Sequence, residues 1–194
     1  MTFTLSVADL SYSIDGHDIL TSLYLEVPEQ SYFAIAGVNG AGKSTLIKLV
    51  LDLIRPSGAG SIAIFNQPNR ANCCREKLVY LPEKFDLKRY VSGWIYLEFV
   101  FRMYQQKLDK ERVLTLCQQL DLDSERLSDR TGTYSKGMRQ KLGLISCFML
   151  DKPLIILDEP LTGLDPKARY LFKQLLLNER ENKRTIFYST HMLA

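Results

Sequence analysis

Apolar positions recur along the chain with two periods. Leu23, Leu25 and Val27 alternate with polar neighbours, as one face of a strand does. Tyr32–Ala36 is a continuous, mostly apolar run that stops at Gly37, the pattern of a buried strand. Beyond the glycines that follow, Leu46, Leu49, Val50 and Leu53 fall at helical spacing, and residues 61–65 and 78–81 look like further strands. From 82 to 150 helical periods dominate. Val113, Leu116, Cys117 and Leu120 mark an amphipathic helix with Asp109 as its N-cap, and Met138, Leu142, Ile145 and Met149 mark another behind Ser135. Strand patterns return at 154–157 and 185–189. Between them Ala168, Leu171, Phe172, Leu175 and Leu176 line one helix face, opened by Asp165-Pro166. The alternation predicts an α/β core interrupted by a helical insertion.

Composition narrows this picture. At 194 residues, with 46% hydrophobic and 24% charged positions, the chain fits one folded domain with an insertion and argues against disorder. The net charge of +3 is too small to suggest a nucleic-acid grip or a polybasic membrane anchor. No apolar run approaches the ~20 residues that span a bilayer, and the first residues lack a signal-peptide pattern. Cys73, Cys74, Cys117 and Cys147 show no metal-binding spacing and read as free thiols in a reducing compartment.

Gly37-Val38-Asn39-Gly40-Ala41-Gly42-Lys43-Ser44-Thr45 fits G-x-x-x-x-G-K-[ST] between a strand-like run and a helical period. Backbone N–H groups can cradle a phosphate chain only where side chains do not block approach. The glycines at 37, 40 and 42 allow that, and the helix that follows turns its positive end to the anion. Lys43 is placed to reach the β- and γ-phosphates, and the Ser44 hydroxyl to bind Mg2+. Downstream, the apolar run 154–157 ends in Asp158-Glu159. Adjacent acids at a strand end can divide two tasks. Asp158 is read as holding Mg2+ through water beside Ser44, and Glu159 as polarising the water that attacks the γ-phosphate.

With these motifs in this order, nearly the whole chain resembles the ATP-binding subunit of an ABC transporter, and specifically the ABC-2-type exporter branch. The resemblance implies a P-loop NTPase (RecA-like) core at 1–82 and 151–194, with N-terminal antiparallel strands and a helical signature subdomain at 83–150. It implies ATP and Mg2+ as ligands. Tyr134-Ser135-Lys136-Gly137-Met138 stands where the family writes LSGGQ, departing at Tyr134, Lys136 and Met138. Ser135, Gly137 and Met138 would serve the nucleotide of a second copy. Ser135 stands 23 residues before Asp158, most of them helical, which disfavours reach to its own loop and favours a head-to-tail, ATP-sandwiching dimer. Glu83 takes the place of the family's Q-loop glutamine, as a further nucleotide or metal contact. Tyr12 matches the aromatic that stacks on adenine, Asp165 the dimer seam, and His191 the switch histidine that aligns Glu159 and water. Phe85, Tyr90, Trp94, Tyr96 and Phe99 resemble the surface that docks a multi-span membrane permease, so the expected location is the cytoplasmic face of a membrane. Only three residues follow His191, an end shortened relative to the family, for which slow hydrolysis is expected.

Other readings differ in kind. A soluble ABC protein acting on ribosomes or DNA would carry a second such domain or long coiled coils, neither of which is seen. A regulatory module that binds nucleotide without turnover would fit the altered signature. A GTPase reading is weak, because Asn182-Lys183-Arg184-Thr185 begins like a guanine motif and lacks its Asp.

Overall fold

The computed structural model describes residues 2–191 apart from 59, 86 and 88. The chain divides into two units, one formed by Met1–Tyr80, Lys152–Glu159 and Asn182–Ala194, the other by Leu81–Asp151 and Pro160–Glu181.

The first unit holds two sheets and two helices among its described residues. Strands β1 (Phe3–Ile14) and β2 (His17–Pro28) form an antiparallel hairpin, and β4 (Ser61–Ile64) and β5 (Gln67–Pro68) extend it in the order β2-β1-β4-β5. The hairpin register sets Leu5 opposite Val27, Val7 opposite Leu25 and Tyr12 opposite Leu20. The second sheet runs β3 (Tyr32–Ala36), β8 (Thr185–Thr190), β7 (Leu154–Leu157), β6 (Leu78–Leu81), with β8 parallel to both β3 and β7. A parallel neighbour needs a crossover, which fits the long excursions between these strands. Leu5, Val7 and Leu10 of β1, Ile62 and Ile64 of β4, Leu154 and Ile156 of β7 and Phe187 of β8 close on Leu46, Ile47, Leu49 and Val50 of α1 (Lys43–Val50). A short helix α2 (Asn72–Glu76) tucks the Cys74 thiol toward the Ile64 carbonyl.

The second unit is helical: α3 (Gly93–Met103), α4 (Lys110–Gln119), α5 (Lys136–Met149) and α6 (Pro166–Asn178), with 3-10 turns at Ser124–Ser128 and Thr131–Thr133. The expected caps are in place: Asp109 accepts from Arg112 N–H at 3.1 Å, Ser135 from Met138 N–H at 3.1 Å, and Asp165 from Ala168 N–H at 2.8 Å.

Four expectations need correction. The helix after the glycines stops at Val50, because Asp52 turns left-handed (φ +54°) and sends Leu53 to solvent. Strand β3 is not buried: it takes the sheet edge, and the face bearing Ala34 and Ala36 is exposed. Helix α5 is not merely amphipathic, since every residue from Gln140 to Met149 is buried. Residues 160–181 group with the helical unit instead of the strand core, because Phe172 of α6 packs edge-on to Phe148 of α5, with ring centroids 6.3 Å apart.

Candidate functional site

The loop between β3 and α1 is shaped by its glycines. Gly40 and Gly42 have φ of +85° and +84°, whereas Gly37 is unexceptional in φ and donates its N–H to the Thr190 carbonyl. Gly42 is the N-cap of α1 and faces β2 closely. A Cβ there would stand 3.0 Å from Leu20 Cδ2 and 3.2 Å from the Ile19 carbonyl. No side chain caps α1, and its first turn carries no acid. The amides at the start of α1 are therefore left to an external anion. Asn39, Gly40 and Ala41 lie exposed along the loop mouth, and Thr45 is half-buried in the first turn. Tyr12, half-buried, pairs with Leu20, the residue that lies against Gly42. That pairing brings the ring one strand from the loop.

Lys43 folds back over this loop. Its ammonium donates to the Gly37 carbonyl at 2.7 Å and the Val38 carbonyl at 3.0 Å, and stands 3.3 Å from Glu159 Oε1. Asp158 and Glu159 follow β7 directly. Asp158 Oδ1 accepts from Ser44 Oγ at 3.0 Å. Glu159 turns left-handed (φ +48°), and its Oε2 lies 2.7 Å from His191 Nδ1 and accepts the His191 N–H at 3.2 Å. Glu159 Oε1 is buried without a hydrogen bond, because the lysine contact has the distance of an ion pair and lacks hydrogen-bond geometry. Lys43, Ser44, Asp158, Glu159 and His191 thus converge in one unit.

These residues fit a magnesium–triphosphate. Ser44 Oγ and Asp158 Oδ1, hydrogen-bonded at 3.0 Å, are hard oxygen donors of the kind that would hold Mg2+. The uncapped amides and Lys43 suit the phosphates, and the orphaned Glu159 oxygen suits a water proton.

Sequence reasoning missed Ser189. It is fully buried, donates to Asp158 Oδ1 at 2.6 Å and accepts the Glu159 N–H at 2.8 Å. The available signal was a small hydroxyl inside an apolar strand, which must find partners there.

The other anticipated residues belong to the second unit. Glu83 is exposed just after β6. Ser135 opens α5, and Gly137 lies against the turn 161–165, where a Cβ would stand 3.0 Å from the Gly163 carbonyl. Met138 is half-buried, and Asp165 caps α6. Gln140, also unanticipated, donates to the Pro160 carbonyl at 3.1 Å and ties α5 to that turn. Tyr134 is buried and donates to the Arg126 carbonyl at 2.6 Å; burial, with the charge of Asp129 adding to it, pushes its hydroxyl up to about 12. Of the five aromatic residues expected at a docking surface, Tyr90 and Phe99 are exposed. Phe85 and Tyr96 instead pack edge-on to each other, and Trp94 lies under Lys110.

A glycine-lined loop at a helix start, a lysine, and a hydroxyl–carboxylate pair at a strand end define a P-loop nucleotide-binding domain. The ABC transporter family profile matches residues 20–162. An uncharacterised ABC transporter ATP-binding protein of Synechocystis is 32% identical over 90% of this chain and 50% of its own length. The Nod factor export ATP-binding protein I of Rhizobium meliloti is 30% identical over 99% of this chain and 58% of its own. The solved structure of the ATP binding subunit of an ABC transporter superposes with a TM-score of 0.83 at 31% identity, covering 98% of this chain and 80% of that one. The chain belongs to the ABC transporter family and carries its ATP-binding domain. It spans about half the length of the first curated relatives it matches. Among the described residues no helix is long and apolar enough to cross a membrane.

Proposed function

We propose that this chain binds and hydrolyses ATP as the motor subunit of an ABC-2-type exporter, working through a separate multi-span permease at the cytoplasmic face of a membrane. The observation that carries the reading is the convergence of Lys43, Ser44, Asp158, Glu159 and His191 at the uncapped end of α1. Similarity to a protein named for Nod factor export supports the direction.

In this reading the amides of the loop at Asn39, Gly40, Gly42, Lys43, Ser44 and Thr45 hold the phosphates, while Gly37 and Ala41, whose own amides go to the Thr190 and Val38 carbonyls, shape the loop around them, and the Tyr12 ring faces the base. Lys43 exchanges the Gly37 and Val38 carbonyls and Glu159 for phosphate oxygens. That exchange frees Glu159, which the lysine otherwise neutralises, so the carboxylate becomes available as the triphosphate arrives. Ser44 and Asp158 would hold Mg2+. The ion would neutralise charge on the β- and γ-phosphate oxygens. Glu159 takes a proton from the attacking water, and His191 holds the carboxylate in line from its other oxygen. Ser135, Gly137 and Met138 serve the nucleotide of a second copy, and Asp165 lies at the seam. Tyr90 and Phe99, with Ile95 and Met103 on the exposed face of α3, offer the apolar surface for the permease.

Glu159→Gln and Lys43→Ala test this. Removing a general base costs about 10²–10⁴ in turnover, so Glu159→Gln should keep ATP affinity, stop phosphate release and accumulate a dimer in gel filtration with ATP. Lys43→Ala should lose nucleotide binding by equilibrium dialysis. Hydrolysis by Glu159→Gln at the parent rate would move the water-activating role elsewhere.

A further inference from the structure

Ser189 occupies the fifth position of β8 and is fully buried. A carboxylate only accepts and an amide N–H only donates, so the direction of both its bonds is settled. The hydroxyl proton goes to Asp158 Oδ1 at 2.6 Å, and the oxygen takes the Glu159 N–H at 2.8 Å. One side chain on β8 therefore grips two consecutive residues beyond the end of β7. The grip falls where the chain is conformationally expensive: Glu159 is not glycine and sits at φ +48°. That turn is what aims its carboxylate at Lys43 and His191, with Oε1 3.3 Å from the ammonium and Oε2 2.7 Å from Nδ1. Asp158 Oδ1 also accepts from Ser44, so the same hydroxyl closes a chain Glu159 N–H, Ser189, Asp158, Ser44.

Resting on the hydrolytic reading above, we propose that Ser189 is a positioning residue for turnover. It touches neither nucleotide nor water in this role. It holds the Glu159 backbone in the left-handed turn. Loss of the hydroxyl leaves the Glu159 amide without this partner and lets the carboxylate wander from its aim, while the phosphate loop keeps all its own contacts.

The test is a cycle of Ser189→Ala and Glu159→Gln, singly and together, in the full chain. Alanine removes only an oxygen from the site, and the amide it orphans is the same in both backgrounds. A misplacement of about 1 Å can cost ~10²-fold in rate, so Ser189→Ala should lower single-turnover ATP hydrolysis by about 10–100-fold. Affinity for a fluorescent ATP analogue should stay within about 3-fold, because no loop contact is lost. In the Glu159→Gln background the alanine should lower the residual rate no further. By NMR without nucleotide, the Glu159 amide (main chain, present in both backgrounds) should exchange faster in Ser189→Ala while that of Leu157 is unchanged. Multiplicative losses in the cycle, a loss of affinity matching the loss of rate, or an unaltered Glu159 amide would each overturn the proposal. An active parent with an equally active Ser189→Ala sinks this inference alone. A parent that binds ATP and hydrolyses it no faster than Glu159→Gln sinks the hydrolytic reading, and this role with it.

Discussion

The tyrosine at the first signature position can be tested against its packing. Tyr134 is 3% exposed, and its hydroxyl donates to the Arg126 carbonyl at 2.6 Å. A Cβ on Gly93, at the first position of α3, would stand 2.6 Å from that hydroxyl oxygen, 3.0 Å from Leu127 Cδ2 and 3.1 Å from Leu127 Cα. Tyr134→Phe removes one hydrogen bond, worth about 0.5–1.5 kcal/mol net. Arg126 itself is exposed, so water can serve its carbonyl, and the lower half of that range is expected. Gly93→Ala overpacks the site by about 1–3 kcal/mol and recovers up to about 1 kcal/mol of helix propensity, for a net loss of about 1–2 kcal/mol. In the double variant the nearest atom is gone and the Leu127 contacts remain, so the alanine should cost about half as much. The coupling is then about 0.5–1 kcal/mol, or ~1–4 °C in melting temperature for a chain of this size. Trp94 is the only tryptophan and lies on α3, so its fluorescence in urea reports unfolding of this unit. Losses that add to within about 0.3 kcal/mol would show that Gly93 is not dictated by the tyrosine, and the packing argument would fall.

Gly42→Ala must place a side chain at φ +84° against Leu20 and the Ile19 carbonyl; the strain is about 1–3 kcal/mol, and ATP affinity should drop at least ~10-fold, as dialysis would show. Burial pushes Cys117 up to about 11, and Cys147 and Tyr134 up to about 12. These protons are kept by the folded chain and shed by the unfolded one, so their stabilisation is whole below the unfolded values, about 8.5 for thiols and 10 for tyrosine. It is lost as pH rises toward the folded ones, and the urea midpoint should fall from pH 9 to 11. Under native conditions at neutral pH a thiol reagent should label Cys73, which is exposed, and spare Cys117 and Cys147 until urea unfolds the chain.

What could be read in the chain beforehand was local. Caps at Asp109, Ser135 and Asp165 are decided within four residues, and all three side chains make the anticipated bond. The strand at 154–157 ends in Asp158, which accepts from Ser44 more than a hundred positions away, and the two were expected side by side from the chemistry of their motifs. What could not be read was burial, because it is set by partners distant in sequence. Nothing in the run 32–36 distinguishes an edge strand from a central one, and the stripe through Met138 and Leu142 did not announce a helix enclosed from Gln140 onward. Ser189 escaped for a related reason: its two partners lie just beyond the end of another strand, 30 and 31 positions earlier.

The altered signature shows how such distant partners accommodate a departure from the family pattern. Lys136 replaces a glycine without crowding the turn beside it, because the neighbour is Gly163, at φ +81°, and the lysine stem runs where a Cβ on that glycine would lie, 3.1–3.2 Å from it. A side chain at 136 is therefore compatible with glycine at 163; a Cβ there would be strained at φ +81° and would require the lysine stem to give by a few tenths of an ångström. Gly137 lies close to the Gly163 carbonyl and Gln140 donates to the Pro160 carbonyl, so the start of α5 and the turn 160–165 approach closely and are joined by a hydrogen bond. Ser135 caps one of these segments and Asp165 ends the other, and both belong to the same unit. In the proposed dimer the group offered to a second copy's nucleotide and the group at the seam are thus carried on one body. A displacement of that unit as a whole would carry Ser135 and Asp165 together.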